Sequence, residues 1–276
     1  MKKRQLNDAD IDNILYYPSK MGFGTFQVDN SEVIFNALKI GYRHLDLAEN
    51  YNNLPLIKTA LEKAFRSVLE GGLGLTRDCI WLTIKVAKLN NSTDHVDNLL
   101  NVVGTSYFDL LLYHYPLEIF DTESDAVNSW QLFCAIPANK VRHIGVSNFY
   151  VPHLTRLLQI CDSERLRKPF ANEILINPYT YGRDQDIIDL CRRKHILLLA
   201  YSPLGFDYSM ILLKDKRIER IKEQFNMTST QTILTWLMCK DISVIPRCTR
   251  KCTTYLQLFF GYIGVHETLP GYRYIV

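Results

Sequence analysis

The sequence predicts an α/β fold, a single (β/α)8 TIM barrel, on three observations. Strand-like apolar runs alternate with amphipathic helical runs along the chain. Most strand-like runs are nearly continuous in apolar residues, the pattern of parallel strands buried on both faces. Eight such units fit into 276 residues, close to the ~250 residues usual for this barrel.

The elements follow in order. The first strand lies around MGFGTF (21–26). SEVIFNALKIG (31–41) repeats apolar residues at helical spacing and stops at Gly41. YRHLDLA (42–48) is the second strand, and LPLIKTALEKAFRSVLEGG (54–72) is a helix expected to run to its Gly pair. CIWLTIKV (79–86) follows, then STDHVDNLLNVVG (92–104) with Ser92 or Thr93 as its cap. FDLLLYH (108–114), VRHIGVS (141–147) and ANEILI (171–176) are the next strands, each with room for a helix after it. RDQDIIDLCRRKH (183–195) starts acidic and ends basic, which suits the helix dipole. ILLLAYS (196–202) precedes TSTQTILTWLMCK (228–240), which opens on capping hydroxyls, and ISVIP (242–246) is the last strand. No repetitive or linker-like segment divides the chain, so one domain over residues 1–276 is expected, with an unusual tail from about residue 250.

An open doubly wound sheet is the competing architecture. It usually carries a Gly-rich phosphate turn after its first strand. GFGTFQ (22–27) has Gln27 where the third glycine should be, and GGLGLT (71–76) follows a helix. Neither is a dinucleotide fingerprint.

Composition narrows the function. Apolar residues make up 47% and charged residues 22%, a balance that supports a packed core. A formal charge of +3, with no basic stripe and no aromatic–basic interleaving, argues against a nucleic-acid partner. The longest apolar runs, such as YLQLFFGYIGV (255–265), are too short to span a bilayer. No apolar signal-peptide core follows the basic start, so a cytoplasmic protein is expected. Seven cysteines (79, 134, 161, 191, 239, 248 and 252) show no CxxC or zinc-finger spacing. They read as reduced and mostly buried thiols, and no metal site is expected.

In such a barrel the active site forms where strands end and loops begin. Those ends carry Asp46 with Tyr51 in its loop, Lys85, His114, Ser147 with Asn148, Asn172 with Glu173, and Tyr201. Each has an ordinary structural reading as a cap, a packing aromatic or a satisfied core histidine. Together they are harder to dismiss. Polar groups ending apolar strands are costly to bury without partners, and closure of a barrel turns them toward one cavity.

Here the sequence resembles the aldo-keto reductase superfamily. The matching segments are GYRHLDLAENY (41–51), LTIKV (82–86), LLLYHYP (110–116), VRHIGVSNF (141–149), AYSPLG (200–205) and ISVIPRCT (242–249). The resemblance runs from roughly residue 20 to 250 and implies a nicotinamide cofactor held without a Rossmann motif. It implies a catalytic tetrad of Asp46, Tyr51, Lys85 and His114, with a small-molecule carbonyl as substrate. Tyr51 would donate the proton to the carbonyl oxygen, within about 3 Å. A free phenol, with a pKa near ~10, holds its proton tightly at neutral pH. A charged Lys85 kept in place by Asp46 would lower that value, and His114 would orient the carbonyl. Ser147, Asn148 and Glu173 would hold the carboxamide, Tyr201 would stack on the ring, and Ser202 and Leu204 would line the pyrophosphate path. Phe26 and Tyr115 would wall the substrate pocket.

The sequence departs from the family pattern in several places. Glu173 stands where glutamine is usual, and an ionised carboxylate lacks the amide's donor. NNLP (52–55), INP (176–178) and Ala87 also differ from the common residues. After the last strand the usual phosphate-gripping set is replaced by Arg247-Cys248-Thr249-Arg250-Lys251-Cys252-Thr253. Arg247, Thr249 and Arg250 are the expected contacts there. Because a phosphate accepts several arrangements of cations, NADPH is expected in preference to NADH. Two rivals remain: a non-catalytic binding module on the same fold, and a Schiff-base aldolase using Lys85. A monomer is expected.

Overall fold

The structure, a computed structural model, describes residues 18–89, 91, 93–116 and 123–247. Its eight strands are β1 (Phe23–Gly24), β2 (His44–Ala48), β3 (Trp81–Val86), β4 (Phe108–Tyr113), β5 (Val141–Ser147), β6 (Ala171–Leu175), β7 (Leu197–Tyr201) and β8 (Ser243–Ile245). They pair in sequence order, each parallel to the next. The two ends of the sheet meet: Gly22 N–H donates to the Val244 carbonyl (2.8 Å), Val244 N–H to that of Lys20 (2.8 Å) and Gly24 N–H to that of Pro246 (3.0 Å). The chain is therefore the expected (β/α)8 barrel. Gly22 is needed for this closure, because a Cβ there would sit 2.5 Å from Ile245 Cδ1 and 2.8 Å from His44 Nδ1.

The helices are α1 (Ser31–Lys39), α2 (Leu54–Phe65), α3 (Asp94–Val103), α4 (Glu123–Ala135), α5 (Val151–Ser163), α6 (Gln185–Arg193), α7 (Ser209–Leu212), α8 (Lys216–Phe225) and α9 (Ser229–Cys239). Local chemistry sets several boundaries. The Asn30 side chain accepts from Glu32 N–H to start α1 (2.8 Å), and Asp215 does the same for Arg217 at α8 (2.9 Å). Thr228 and Gln231 form a reciprocal capping box at α9.

Alternation along the strands divides the core into two layers. Leu45, Leu47, Ile84 and Val86 face outward into the helix layer, where one large apolar cluster forms. A smaller cluster of Trp81, Leu110, Leu112, Ala171, Leu199 and Ile245 fills the barrel interior. Nearer the C-terminal ends of the strands, β2, β3, β5 and β6 turn Asp46, Lys85, Ser147 and Glu173 inward.

Two expectations needed correction. α2 stops at Phe65 rather than reaching the Gly pair, and Arg66 is already extended. The continuation would carry Val68 and Leu69, 72% and 100% exposed, which have no core to face. A Ser67–Glu70 capping box starts a separate 3-10 turn there instead. α4 and α5 occupy the room left after β4 and β5, and α7 and α8 lie between β7 and α9. α5 begins with Pro152 in its first turn, where proline suits a helix start rather than breaking it. The cysteines are not mostly buried: among those described, Cys161 and Cys191 are buried, whereas Cys79 and Cys239 lie exposed at element ends. All five described cysteines are free thiols, and Cys248 and Cys252 lie outside the described residues. No helix among the described residues is long and apolar enough to cross a membrane.

Candidate active site

The strand ends open into a cavity of about 350 Å³, within the range of small-molecule sites. Asp46, Tyr51, Lys85, His114, Ser147, Asn148, Glu173, Tyr201, Ser202, Phe26, Tyr115 and Arg247 all line it. Parallel register produces this convergence. Ala48 pairs with Lys85, Lys85 with Leu112 and Ser147 with Glu173, so inward side chains from separate strands arrive at similar depth.

Lys85 sits at the centre and is 1% exposed. Its ammonium donates to Asp46 Oδ2 at 2.5 Å and to Glu173 Oε1 at 2.9 Å. Burial works against the lysine charge, but the two carboxylates outweigh it and hold Lys85 well above the ordinary lysine range. Burial, and then the neighbouring Glu173 charge, push Asp46 well above the usual carboxylate range despite the lysine. Asp46 Oδ1 and Glu173 Oε2 are buried without a hydrogen-bond partner.

Tyr51 ends a short 3-10 turn, Glu49–Tyr51, closed by Asn52 in the left-handed conformation (φ 56°). Asn53 anchors this loop by donating to the carbonyls of Thr25 (2.8 Å) and Val28 (3.0 Å). The Lys85 nitrogen lies 5.5 Å from the Tyr51 ring centre. The expected lowering of the phenol is one contribution only. Burial raises it most, Lys85 pulls it down, and Asp46 and Glu173 push it back up, leaving Tyr51 above its ordinary value.

The His114 ring meets Tyr51 edge-on at 6.0 Å and stacks on Tyr115 at 4.2 Å. Burial, assisted by the Lys85 charge, lowers His114 to about 4, so the ring is neutral at pH 7. Its buried Nδ1 finds no partner. The single ring proton is therefore better placed on Nε2, as a donor.

One wall is already tied together. Asn148, at φ 63°, donates to the His114 carbonyl (2.9 Å) and to Ser147 Oγ (3.2 Å), and its amide oxygen accepts from the Tyr201 hydroxyl (2.8 Å). Ser147 Oγ donates to the Glu173 carbonyl at 2.9 Å. Asn172 does not join the site. It points to the outer layer and donates to the Phe149 carbonyl at 2.7 Å, as its odd position beside Glu173 on β6 requires. Leu204 is half-buried, packs against the outer core and does not line the cavity.

On the rim, Phe26 is 5.0 Å from the Tyr51 ring, and the Arg247 guanidinium lies 5.7 Å from the Phe26 ring centre. Arg247 also donates to Gln27 Oε1. Thr249 and Arg250 lie outside the described residues. Gly24, Leu175, Ile245 and Phe206 line the cavity without having been anticipated. Leu175 and Ile245 are legible as inward strand positions once the register is known. Phe206 sits in the β7–α7 loop at φ 49° and carries no sequence signal. Among the described residues no cluster of three or more His, Cys, Asp or Glu side chains is placed to hold a metal.

Comparison with known proteins gives a consistent result. The Aldo/keto reductase family model matches residues 20–251. The chain is 30% identical over 271 residues to a D/L-glyceraldehyde reductase of Hypocrea jecorina, covering 87% of this chain and 79% of that one. It is 27% identical over 257 residues to a glycerol 2-dehydrogenase (NADP(+)) of Saccharomyces cerevisiae, covering 83% and 78%. The solved structure of an aldose reductase from Giardia lamblia superposes with a TM-score of 0.74 at 26% identity, covering 93% and 90%.

Proposed function

This chain belongs to the aldo/keto reductase family, and from that premise we propose that it is an NADPH-dependent reductase of small aldehydes or ketones. The observation that carries the reading is the meeting of Tyr51, His114 and a doubly bonded Lys85 at one cavity. The named activities of the glyceraldehyde and glycerol enzymes support a small carbonyl substrate.

The residues present fit a nicotinamide. The carboxamide needs an acceptor for its NH2 and a donor for its oxygen, and Glu173, whose Oε2 is buried without a hydrogen-bond partner, lines the cavity beside Ser147, Asn148 and Tyr201. Arg247 is the described cation that would meet a ribose phosphate, and with the yeast relative's stated NADP(+) it favours NADPH over NADH. When bound, the nicotinamide supplies the hydride. Tyr51 then gives its proton to the carbonyl oxygen, and His114 donates Nε2–H to the same oxygen. Lys85 holds a positive charge beside the phenol, so that charge developing on the tyrosine oxygen is stabilised where it forms. Phe26 and Tyr115 wall the space for the substrate.

The strong support for charge on Lys85 disfavours a Schiff-base role, which needs a neutral amine. The raised Tyr51 and the substituted Glu173 favour a second reading, a binding protein that keeps the tetrad without turnover. One domain over 1–276, a monomer and a cytoplasmic location complete the proposal. The test is a fluorescence titration with NADPH and NADH, followed by turnover of glyceraldehyde. Binding of NADPH with Tyr51-dependent oxidation supports the reductase. Binding without turnover leaves the second reading, and absence of binding removes both nucleotide-dependent readings.

A further inference from the structure

The buried cluster around Lys85 has an imbalance in its charges. Asp46 and Glu173 are 3% and 1% exposed and share one ammonium. With both carboxylates ionised the cluster carries a net charge of −1 in the barrel interior. The other ionisable groups facing it do not cancel that charge. From β2, His44 is buried and neutral, lowered to about 3 by burial and then by Lys85. From β4, His114 is neutral at pH 7. Tyr51, from the β2 loop, and Tyr201, from β7, are phenols raised first by burial and again by Glu173. Ser147 and Asn148 from β5 are uncharged, and Arg247 beyond β8 is engaged with Gln27 on the rim. An uncompensated buried charge costs several kcal/mol, and a proton is the simplest compensation.

The geometry shows where such a proton can sit. Asp46 Oδ1 and Glu173 Oε2 are the two carboxylate oxygens of the cluster left without partners. Glu173 also lines the cavity. A protonated glutamic acid presents one acceptor oxygen and one O–H donor, the same pair of functions as a glutamine amide.

We propose that Asp46 and Glu173 hold one proton between them over Lys85, and that Glu173 uses this proton to bind the nicotinamide carboxamide, making nucleotide binding proton-linked. The nucleotide part rests on the reductase reading above; the shared proton does not. Glu173 is here a cofactor-binding and proton-holding group, and Asp46 is its positioning partner. No covalent bond changes. At a pH where the free pair has lost its proton, binding takes one proton up from solvent.

Two measurements test this. The first is the infrared difference spectrum of nucleotide-free protein at neutral pH, wild type against Glu173→Gln and against Asp46→Asn. A carboxylic-acid C=O band in the wild type, lost in both variants, is the expected result, and its absence in the wild type overturns the shared proton. The second is the Kd for NADPH and NADH between about pH 7 and 10, by nucleotide fluorescence. Wild-type Kd should rise about tenfold per pH unit above the titration of the pair, with one proton taken up per nucleotide in calorimetry. Glu173→Gln should bind with nearly constant Kd over that range. Equal pH slopes in the two proteins overturn the linkage. If the infrared band is present but neither protein binds either nucleotide at any pH, the linkage and the reductase reading fail together and the shared proton stands.

Discussion

At the N-terminal end of the barrel interior, Trp81 stacks on His143 at 5.7 Å and on Phe170 at 6.3 Å, and His44 reaches Thr83 Oγ1 at 2.9 Å. Further along the same strands, Asp46 follows His44 on β2 and Lys85 follows Thr83 on β3. The first layer contains titratable groups and strips them of charge, and its hydroxyl, indole and imidazole groups pack as a plug. The second layer holds the Lys85 ammonium between two carboxylates. Both lie between the same strands with similar burial, so burial alone does not separate them. The difference is which layer borders the cavity: Asp46, Lys85 and Glu173 line it, whereas His44, Thr83, Trp81 and His143 do not. A plug of the first kind stabilises the fold. A layer of the second kind costs stability and is suited to chemistry.

Substitutions that affect one layer and spare the other sharpen this contrast. The largest effect belongs to Tyr51→Phe, which should cut carbonyl turnover by about 10²–10⁴-fold while leaving the melting temperature within a few degrees (~1 kcal/mol). Near-normal turnover in that variant would break the functional half of the comparison. Trp81→Ala should do the reverse. Loss of a buried, stacked indole should cost about 3–5 kcal/mol of stability, read by denaturant unfolding. The folded fraction should keep its KM and kcat within about twofold, since Trp81 does not line the cavity.

A smaller effect is a matter of pH. His44 is neutral in the fold, its pKa lowered by burial from 6.5 to about 3. Its contribution to stability is therefore full above about pH 6.5 and is lost as pH falls toward about 3, with a slope near 1.4 kcal/mol per pH unit. His44→Gln should remove that slope, measured as the difference between the two unfolding curves from pH 7 to 4. Parallel curves would mean that His44 does not carry it. The smallest effect lies on the rim. Arg247→Met should weaken NADPH binding by about tenfold and NADH by less than about twofold. An equal loss for both would separate Arg247 from the ribose phosphate.

The sequence by itself determined the repeating β/α order, the buried parallel strands and the family. These rest on local periodicity and on residues that stay close along the chain, such as Asp46 with Tyr51. It also presented Lys85, His114 and Glu173 at strand ends. The boundary that misled it is equally local: the Val68–Leu69 stretch leaves α2 because no core faces it. Tertiary structure alone decided what these groups do to one another. Lys85 meets two carboxylates because register brings β2, β3 and β6 to one depth, across 39 and 88 residues of sequence. The same closure buries Tyr51 enough to reverse the sign of its expected shift. Leu204 falls outside the cavity and Phe206 falls inside it because the loop after β7 turns through Gly205 in the left-handed region. Periodicity reports which face of an element is apolar. Charge balance and pocket shape depend on distances between elements, which are set only when the barrel closes.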